Sequence, residues 1–86
     1  MENTSLTKID IDKDLLHVIA TSLECDISGL TSTSGLGRHS KWDSLAHISV
    51  MCALEKRYGI EITPHVVETL KTVHDIEETL INRGFI

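Results

Sequence analysis

The chain has 86 residues, the length of one domain, and is too small to enclose a large active site or cofactor cage. Its net charge of −5 disfavours nucleic acid as a partner and favours partners with basic docking surfaces. Only 3% of the residues are aromatic, so the composition predicts an aliphatic core. The two cysteines make no disulfide framework, the N-terminus lacks a signal-peptide core, and no apolar run could span a membrane. We therefore expect a cytoplasmic protein without membrane insertion.

The first predicted helix spans about residues 8–25. Thr7 is its expected N-cap, with Asp10 three residues later in the pattern of a capping box. Residues 1–7 are polar and are expected to be flexible. Apolar side chains then recur at the three- and four-residue spacing of one helical face. These side chains are Leu15, Leu16, Ile19 and Leu23.

Residues 26–41 are rich in serine, threonine and glycine, which predicts a long loop. We expect Leu30 and Leu36 to hold this loop against the bundle. Loops of this length in a compact domain are usually functional or disordered.

The second predicted helix spans residues 44–58 and ends at Gly59. Either Asp43 or Ser40 can serve as its N-cap, and both choices place Ser44 in the first turn. Backbone N–H groups without an intrahelical partner and the positive end of the helix dipole favour an anion there. The predicted core face of this helix carries Ile48, Met51, Leu54 and Tyr58.

Two further helices follow an extended connector at residues 60–62. Thr63 and Pro64 have the pattern of an N-cap and first helical residue, and predict a short helix over about 64–70. Thr72 caps the last helix, with Asp75 completing another capping box. This helix carries the stripe Val73, Ile76 and Leu80 and ends at Gly84. Three main helices and one short helix predict an all-α, up-down antiparallel bundle.

Four segments, in the correct order and spacing, resemble the acyl carrier protein family over about residues 8–80. These segments are Asp43-Ser44-Leu45, residues 51–58, Glu61-Ile62 with Pro64, and residues 70–76. The resemblance implies one acyl-carrier-like domain over residues 1–86. It also implies a 4′-phosphopantetheine arm on Ser44, installed from coenzyme A by a phosphopantetheinyl transferase.

The resemblance implies a monomeric carrier that holds acyl groups as thioesters and delivers them to acyl-loading and acyl-using enzymes. The chemistry would belong to the arm and to those enzymes, so no catalytic or metal-binding residue is expected. Asp43 would cap the helix and help the transferase to position the serine, and Leu45 completes the motif. A strip on the helix face opposite the predicted core is either a docking surface for partner enzymes or an ordinary solvent face. The strip consists of Leu45, Ser49, Cys52, Ala53 and Lys56.

Two departures from the family pattern bear on the pathway. Trp42 directly precedes the motif, which resembles carriers of specialised or cell-surface pathways more than central fatty-acid carriers. Ala46, His47 and Ser49 stand where the family usually has acidic residues. The pathway stays open between fatty-acid, polyketide and another specialised biosynthesis.

Other functions stay open or are disfavoured. An aminoacyl or peptidyl carrier and an unmodified helical interaction module are the alternatives. The acidic charge disfavours a DNA-binding protein, and a serine hydrolase built on Ser44, His47 and Asp43 lacks the G-x-S-x-G elbow. His47 is instead expected to pack near the core beneath the loop. Cys25 and Cys52 are expected to be small packing residues.

Overall fold

The computed structural model describes residues 11–86. Within this range the chain forms four α-helices and no β-strand, which confirms the predicted all-α bundle of three main helices and one short helix. A single 3-10 turn, Ile27–Gly29, interrupts the loop after the first helix. The helices are α1 (Lys13–Leu23), α2 (Ser44–Tyr58), α3 (Pro64–Thr69) and α4 (Val73–Asn82).

Helix α1 begins at Lys13 rather than near residue 8, because Asp12 provides its N-cap. The Asp12 carboxylate accepts a hydrogen bond from the backbone N–H of Leu15 at 3.0 Å. The predicted cap Thr7, its partner Asp10 and the expected flexibility of residues 1–7 lie outside the described residues. The helix ends at Leu23, where Glu24 adopts a left-handed conformation with φ 57°.

Helix α2 has the predicted bounds, and Asp43 is its N-cap rather than Ser40. The Asp43 carboxylate accepts a hydrogen bond from the N–H of Ala46 at 2.8 Å. Gly59 ends the helix in a left-handed conformation, φ 78°, as expected. Ser44 is therefore the first residue of a well-capped helix.

The predicted core face of α2 is partly wrong. Ile48 is 48% exposed, and Tyr58 is only half-buried. The buried face is rotated toward the positions i, i+3, i+4 and i+7 starting at His47. It consists of His47, Val50, Met51 and Leu54.

The core combines this face with the predicted stripes of α1 and α4. Its fully buried members include Leu15 and Ile19 of α1 and Ile76 and Leu80 of α4. The core is not purely aliphatic, because Trp42 has no exposed surface. Cys25 packs half-buried against the core as expected, whereas Cys52 is exposed and its expected packing role is wrong.

The remaining helix N-caps are those that the sequence predicts. Thr63 Oγ1 accepts from the N–H of Val66 at 3.2 Å, and Thr72 Oγ1 accepts from the N–H of Asp75 at 3.0 Å. Helix α4 ends at Asn82, and Gly84 follows it with φ 81°. Local capping chemistry therefore sets the boundaries of α3 and α4.

The long loop is ordered by backbone hydrogen bonds to the start of α4. The N–H of Val73 donates to the Ser34 carbonyl at 2.9 Å, and the N–H of His74 donates to the Ser32 carbonyl at 2.9 Å. Leu30 is buried and Leu36 is half-buried, which confirms that these residues hold the loop against the bundle. The loop consequently delivers Trp42 and Asp43 to the start of α2 in a fixed position.

Candidate site at the start of helix α2

Ser44 lies exposed at the first position of α2. The Asp43 side chain accepts a hydrogen bond from the N–H of Ala46. The N–H groups of Ser44 and Leu45 have no protein partner within residues 11–86. These donors and the positive end of the helix dipole lie next to the serine hydroxyl. An anionic group joined to that hydroxyl would be stabilised there.

Beneath Ser44 lies a buried polar contact that the sequence did not reveal. The imidazole of His47, 2% exposed, accepts a hydrogen bond at Nδ1 from Trp42 Nε1–H at 2.9 Å. Its Nε2 lies 2.9 Å from the Val67 carbonyl oxygen of α3. Because an indole nitrogen can only donate, the ring proton of His47 belongs on Nε2, which donates to Val67.

This contact removes the remaining basis for a serine hydrolase. Both ring nitrogens of His47 are engaged, so neither can take a proton from Ser44. Asp43 likewise directs its carboxylate to the helix cap. The three residues are neighbours in sequence but form no nucleophile–base pair.

A groove of about 350 Å³ adjoins Ser44 between the loop, α2 and α3. Ile48 of α2, Val67 of α3 and Leu36 of the loop provide its apolar lining. Glu68 and Lys71, both exposed, add charges. The groove explains the exposure of Ile48, which faces this opening rather than the core.

The predicted docking strip lies on the outward face of α2. Leu45 is 80% exposed, Ser49, Cys52 and Lys56 are also exposed, and Ala53 is half-buried. The first turn of α2 holds no acidic residue, whereas Lys56 and Arg57 lie in its last turn. This surface is therefore uncharged near Ser44 and basic at its far end.

No group of three or more histidine, cysteine or acidic side chains within residues 11–86 is placed to hold a metal ion. No helix in the described part of the chain has the length and apolarity to cross a bilayer.

The sequence signal for the Trp42–His47 contact is weak. Trp42 precedes the helix cap, and His47 lies at the fourth helical position, so both side chains can turn inward at one end of α2. Val67 takes part through its backbone, which no side-chain pattern can reveal.

Comparison with known proteins shows which family the chain belongs to. A family model described as "Phosphopantetheine attachment site" matches residues 13–80. An acyl carrier protein of Rickettsia canadensis is 32% identical over 73 residues, which cover 85% of each chain. An acyl carrier protein of Thermosynechococcus vestitus is 29% identical over 78 residues, covering 91% of this chain and 96% of the relative.

These matches and the helical bundle define a carrier domain, a class of protein that holds its cargo on a covalent phosphopantetheine arm. Within that class, the chain belongs to the acyl carrier protein family. It is a carrier and not an enzyme, and acyl carrier proteins work with enzymes after a phosphopantetheinyl transferase has loaded them. The start of α2 fits such an arm, because it offers an exposed hydroxyl beside N–H donors that have no partner in the described part of the chain.

Proposed function

We propose that Ser44 carries the phosphopantetheine arm. The supporting observation is its exposed hydroxyl at the first position of a helix whose N–H groups at Ser44 and Leu45 have no protein partner within residues 11–86. The negative phosphodiester would lie at the positive end of the helix dipole. Asp43 both caps the helix and helps the transferase to position the serine.

Attachment forms one phosphorus–oxygen bond to Ser44 Oγ and breaks the pyrophosphate bond of coenzyme A. Adenosine 3′,5′-bisphosphate leaves with the electron pair, and the transferase removes the hydroxyl proton. Buried His47 takes no part, because its nitrogens are bonded to Trp42 and Val67.

The test is incubation with coenzyme A, magnesium and a broad-specificity transferase, followed by mass spectrometry. The parent protein should gain one phosphopantetheine, and Ser44→Ala should gain none. Ser28→Ala is the control, because Ser28 is an exposed serine outside the docking strip and its loss should leave attachment intact. An unchanged parent mass with several transferases, or a labelled Ser44→Ala, would overturn the proposal.

We further propose that residues 1–86 act as a single cytoplasmic carrier domain in a specialised fatty-acid, polyketide or cell-surface biosynthesis. Support comes from the outward face of α2, whose first turn lacks acidic residues. Partner enzymes would dock on Leu45, Ser49, Cys52 and Lys56, which are all exposed.

The mass of the natively expressed protein identifies the cargo. An amino acid or peptide would indicate an aminoacyl or peptidyl carrier, and no arm would indicate an unmodified interaction module.

A further inference from the structure

We propose that the hydrogen-bonded chain Trp42–His47–Val67 closes the α2–α3 interface to cargo. Cargo attached through Ser44 is then confined to the surface groove, which selects short or polar acyl groups over long alkyl chains. This inference rests on the proposed attachment at Ser44.

The chain of contacts crosses the interface directly below the groove. Trp42 precedes α2, His47 lies one turn into it, and the Val67 carbonyl belongs to α3. The two hydrogen bonds both measure 2.9 Å, and the indole and imidazole centroids are 6.1 Å apart. His47 also lines the groove, so it forms the boundary between groove and core.

A long alkyl chain that entered the core from the groove would have to separate α2 from α3 at this point. Separation breaks the bond from His47 Nε2 to the partly buried Val67 carbonyl and leaves the buried imidazole N–H without a partner. An alkyl chain cannot replace either partner, so the loss is uncompensated. Trp42, which has no exposed surface, already occupies space on the other side of the imidazole.

The groove itself suits a small cargo with polar substituents. Its lining is mainly apolar and comes from Leu36, Ile48 and Val67. Glu68 and Lys71 add a negative and a positive charge to the same groove of about 350 Å³. A short acyl group with hydroxyl or carboxylate substituents can contact both kinds of surface, whereas a long alkyl chain would meet charges or solvent.

The test compares parent protein loaded with acetyl, butyryl or decanoyl phosphopantetheine from the matching acyl-coenzyme A. Trp42 is the only tryptophan, so its indole N–H gives one NMR signal that reports the bond to His47. We expect this signal to stay at the same position with all three cargoes, and the Tm of the decanoyl form to match that of the acetyl form. A decanoyl form with a shifted indole signal or a raised Tm would overturn the inference.

Two variants separate the effect of the His47 hydrogen bonds from that of the general shape of the groove. His47→Ala removes the hydrogen bond between α2 and α3, so decanoyl should raise the Tm above that of the acetyl form. His47→Gln can still donate to Val67 and accept from Trp42, so it should exclude decanoyl as the parent does. If His47→Ala fails to fold, the parent comparison and His47→Gln still decide the question.

Mass spectrometry of each loaded sample distinguishes the two proposals. An arm on Ser44 whose decanoyl chain shifts the indole signal overturns the closed interface alone. Absence of an arm from Ser44 overturns the attachment proposal, and with it the confinement of Ser44-borne cargo.

Discussion

Gly35 lies directly against the carbonyl of Lys71, and a Cβ atom placed on Gly35 would overlap that oxygen. The same Lys71 carbonyl accepts a hydrogen bond from the N–H of Leu36 at 2.8 Å, and Gly35 pairs with Thr72 in an isolated β-bridge. Only a residue without a side chain allows the loop to come this close. The contact holds the loop between α1 and α2 against the start of α4.

Gly35→Ala should therefore destabilise the protein by roughly 1–3 kcal/mol, because the loop backbone must move away from Lys71. Chemical denaturation measures the change. Gly29→Ala is the matched control, since its nearest new contact, His39 Nε2 at 3.8 Å, is ordinary packing. Gly29→Ala should change stability by less than about 0.5 kcal/mol, and equal losses in the two variants would contradict the contact.

The loop shows which part of the fold the sequence could predict. Its position and its anchors Leu30 and Leu36 were predicted, because breaker residues and apolar side chains are local signals. The hydrogen bonds that the Ser32 and Ser34 carbonyls accept from the start of α4 join backbone atoms that are distant in sequence. Backbone pairing at that distance leaves no pattern in side-chain type, so order in the loop could not be predicted.

Leu54→Ala should lower the free energy of unfolding by on the order of 2–5 kcal/mol, because Leu54 is fully buried in the core. Ile48→Ala removes an aliphatic side chain from the same helix at a position that is 48% exposed. It should cost less than about 1 kcal/mol, since little surface is buried there. Denaturant unfolding of both variants checks the buried face. Similar losses in the two variants would mean that Ile48 belongs to the buried face after all.

The helix start at the candidate site was predicted better than the core beside it. Asp43 and Ser44 carry a capping signal within a few residues, and the structure places them at the predicted helix start. His47 packs near the core as expected, whereas Ile48, predicted on the core face, is 48% exposed. The burial of His47 depends on Trp42 and the Val67 carbonyl, which give the imidazole two partners. Periodicity counts apolar residues and cannot count partners supplied by other elements.

Tyr58 should titrate well above an ordinary tyrosine. Burial, and then the charge of Asp14 and a hydrogen bond to it, raise the pKa of Tyr58 to about 12. The neutral phenol is thus favoured in the folded state, so its contribution to stability is full below the unfolded pKa of about 10. That contribution falls as the pH rises toward and through 12. Phenolate absorbance reports this group alone, because the chain has one tyrosine.

Asp14→Asn tests the cause of this shift. The substitution removes the negative charge beside the phenol, so the titration midpoint of Tyr58 should fall. It should stay above 10.0, because burial is the larger cause. Arg57→Gln keeps the carboxylate and removes the cation that lowers the pKa of Tyr58, so it should instead raise the midpoint. A parent midpoint near 10 would contradict the contact of Tyr58 with Asp14 between α1 and α2.

Asp43 substitutions should separate helix capping from attachment of the arm. Asp43→Ala should lower stability by about 0.5–2 kcal/mol, because the N–H of Ala46 loses its acceptor. Asp43→Asn keeps a capping oxygen and should retain most of the stability. If the carboxylate also helps the transferase, Asp43→Asn should slow phosphopantetheine attachment, measured by mass spectrometry over time. An unchanged rate would leave Asp43 with the capping role alone.

The charge of α2 leads to a prediction about partner enzymes. Family carriers of fatty-acid synthesis resemble one another in presenting acidic residues after the serine, whereas the first turn of α2 here has none. Arg57 is paired with Asp14, so Lys56 is the basic residue of the docking strip. Charges at the rim of an interface act mainly on the association rate and on the rejection of wrong partners. The protein should therefore be a poor substrate for a general malonyl transacylase.

The measurement is the malonyl loading rate beside that of an ordinary fatty-acid carrier, at low and moderate salt. The rate should be lower at low salt and should depend less on salt, because fewer opposite charges attract the basic enzyme. Lys56→Glu combined with Ser49→Glu should raise the rate at low salt and introduce a salt dependence. Arg83→Glu, which changes an exposed charge at the end of α4 outside the docking strip, should do neither. Equal rates and equal salt dependence for the parent and the ordinary carrier would contradict a dedicated pathway, since the altered surface of α2 would then leave recognition by general enzymes intact.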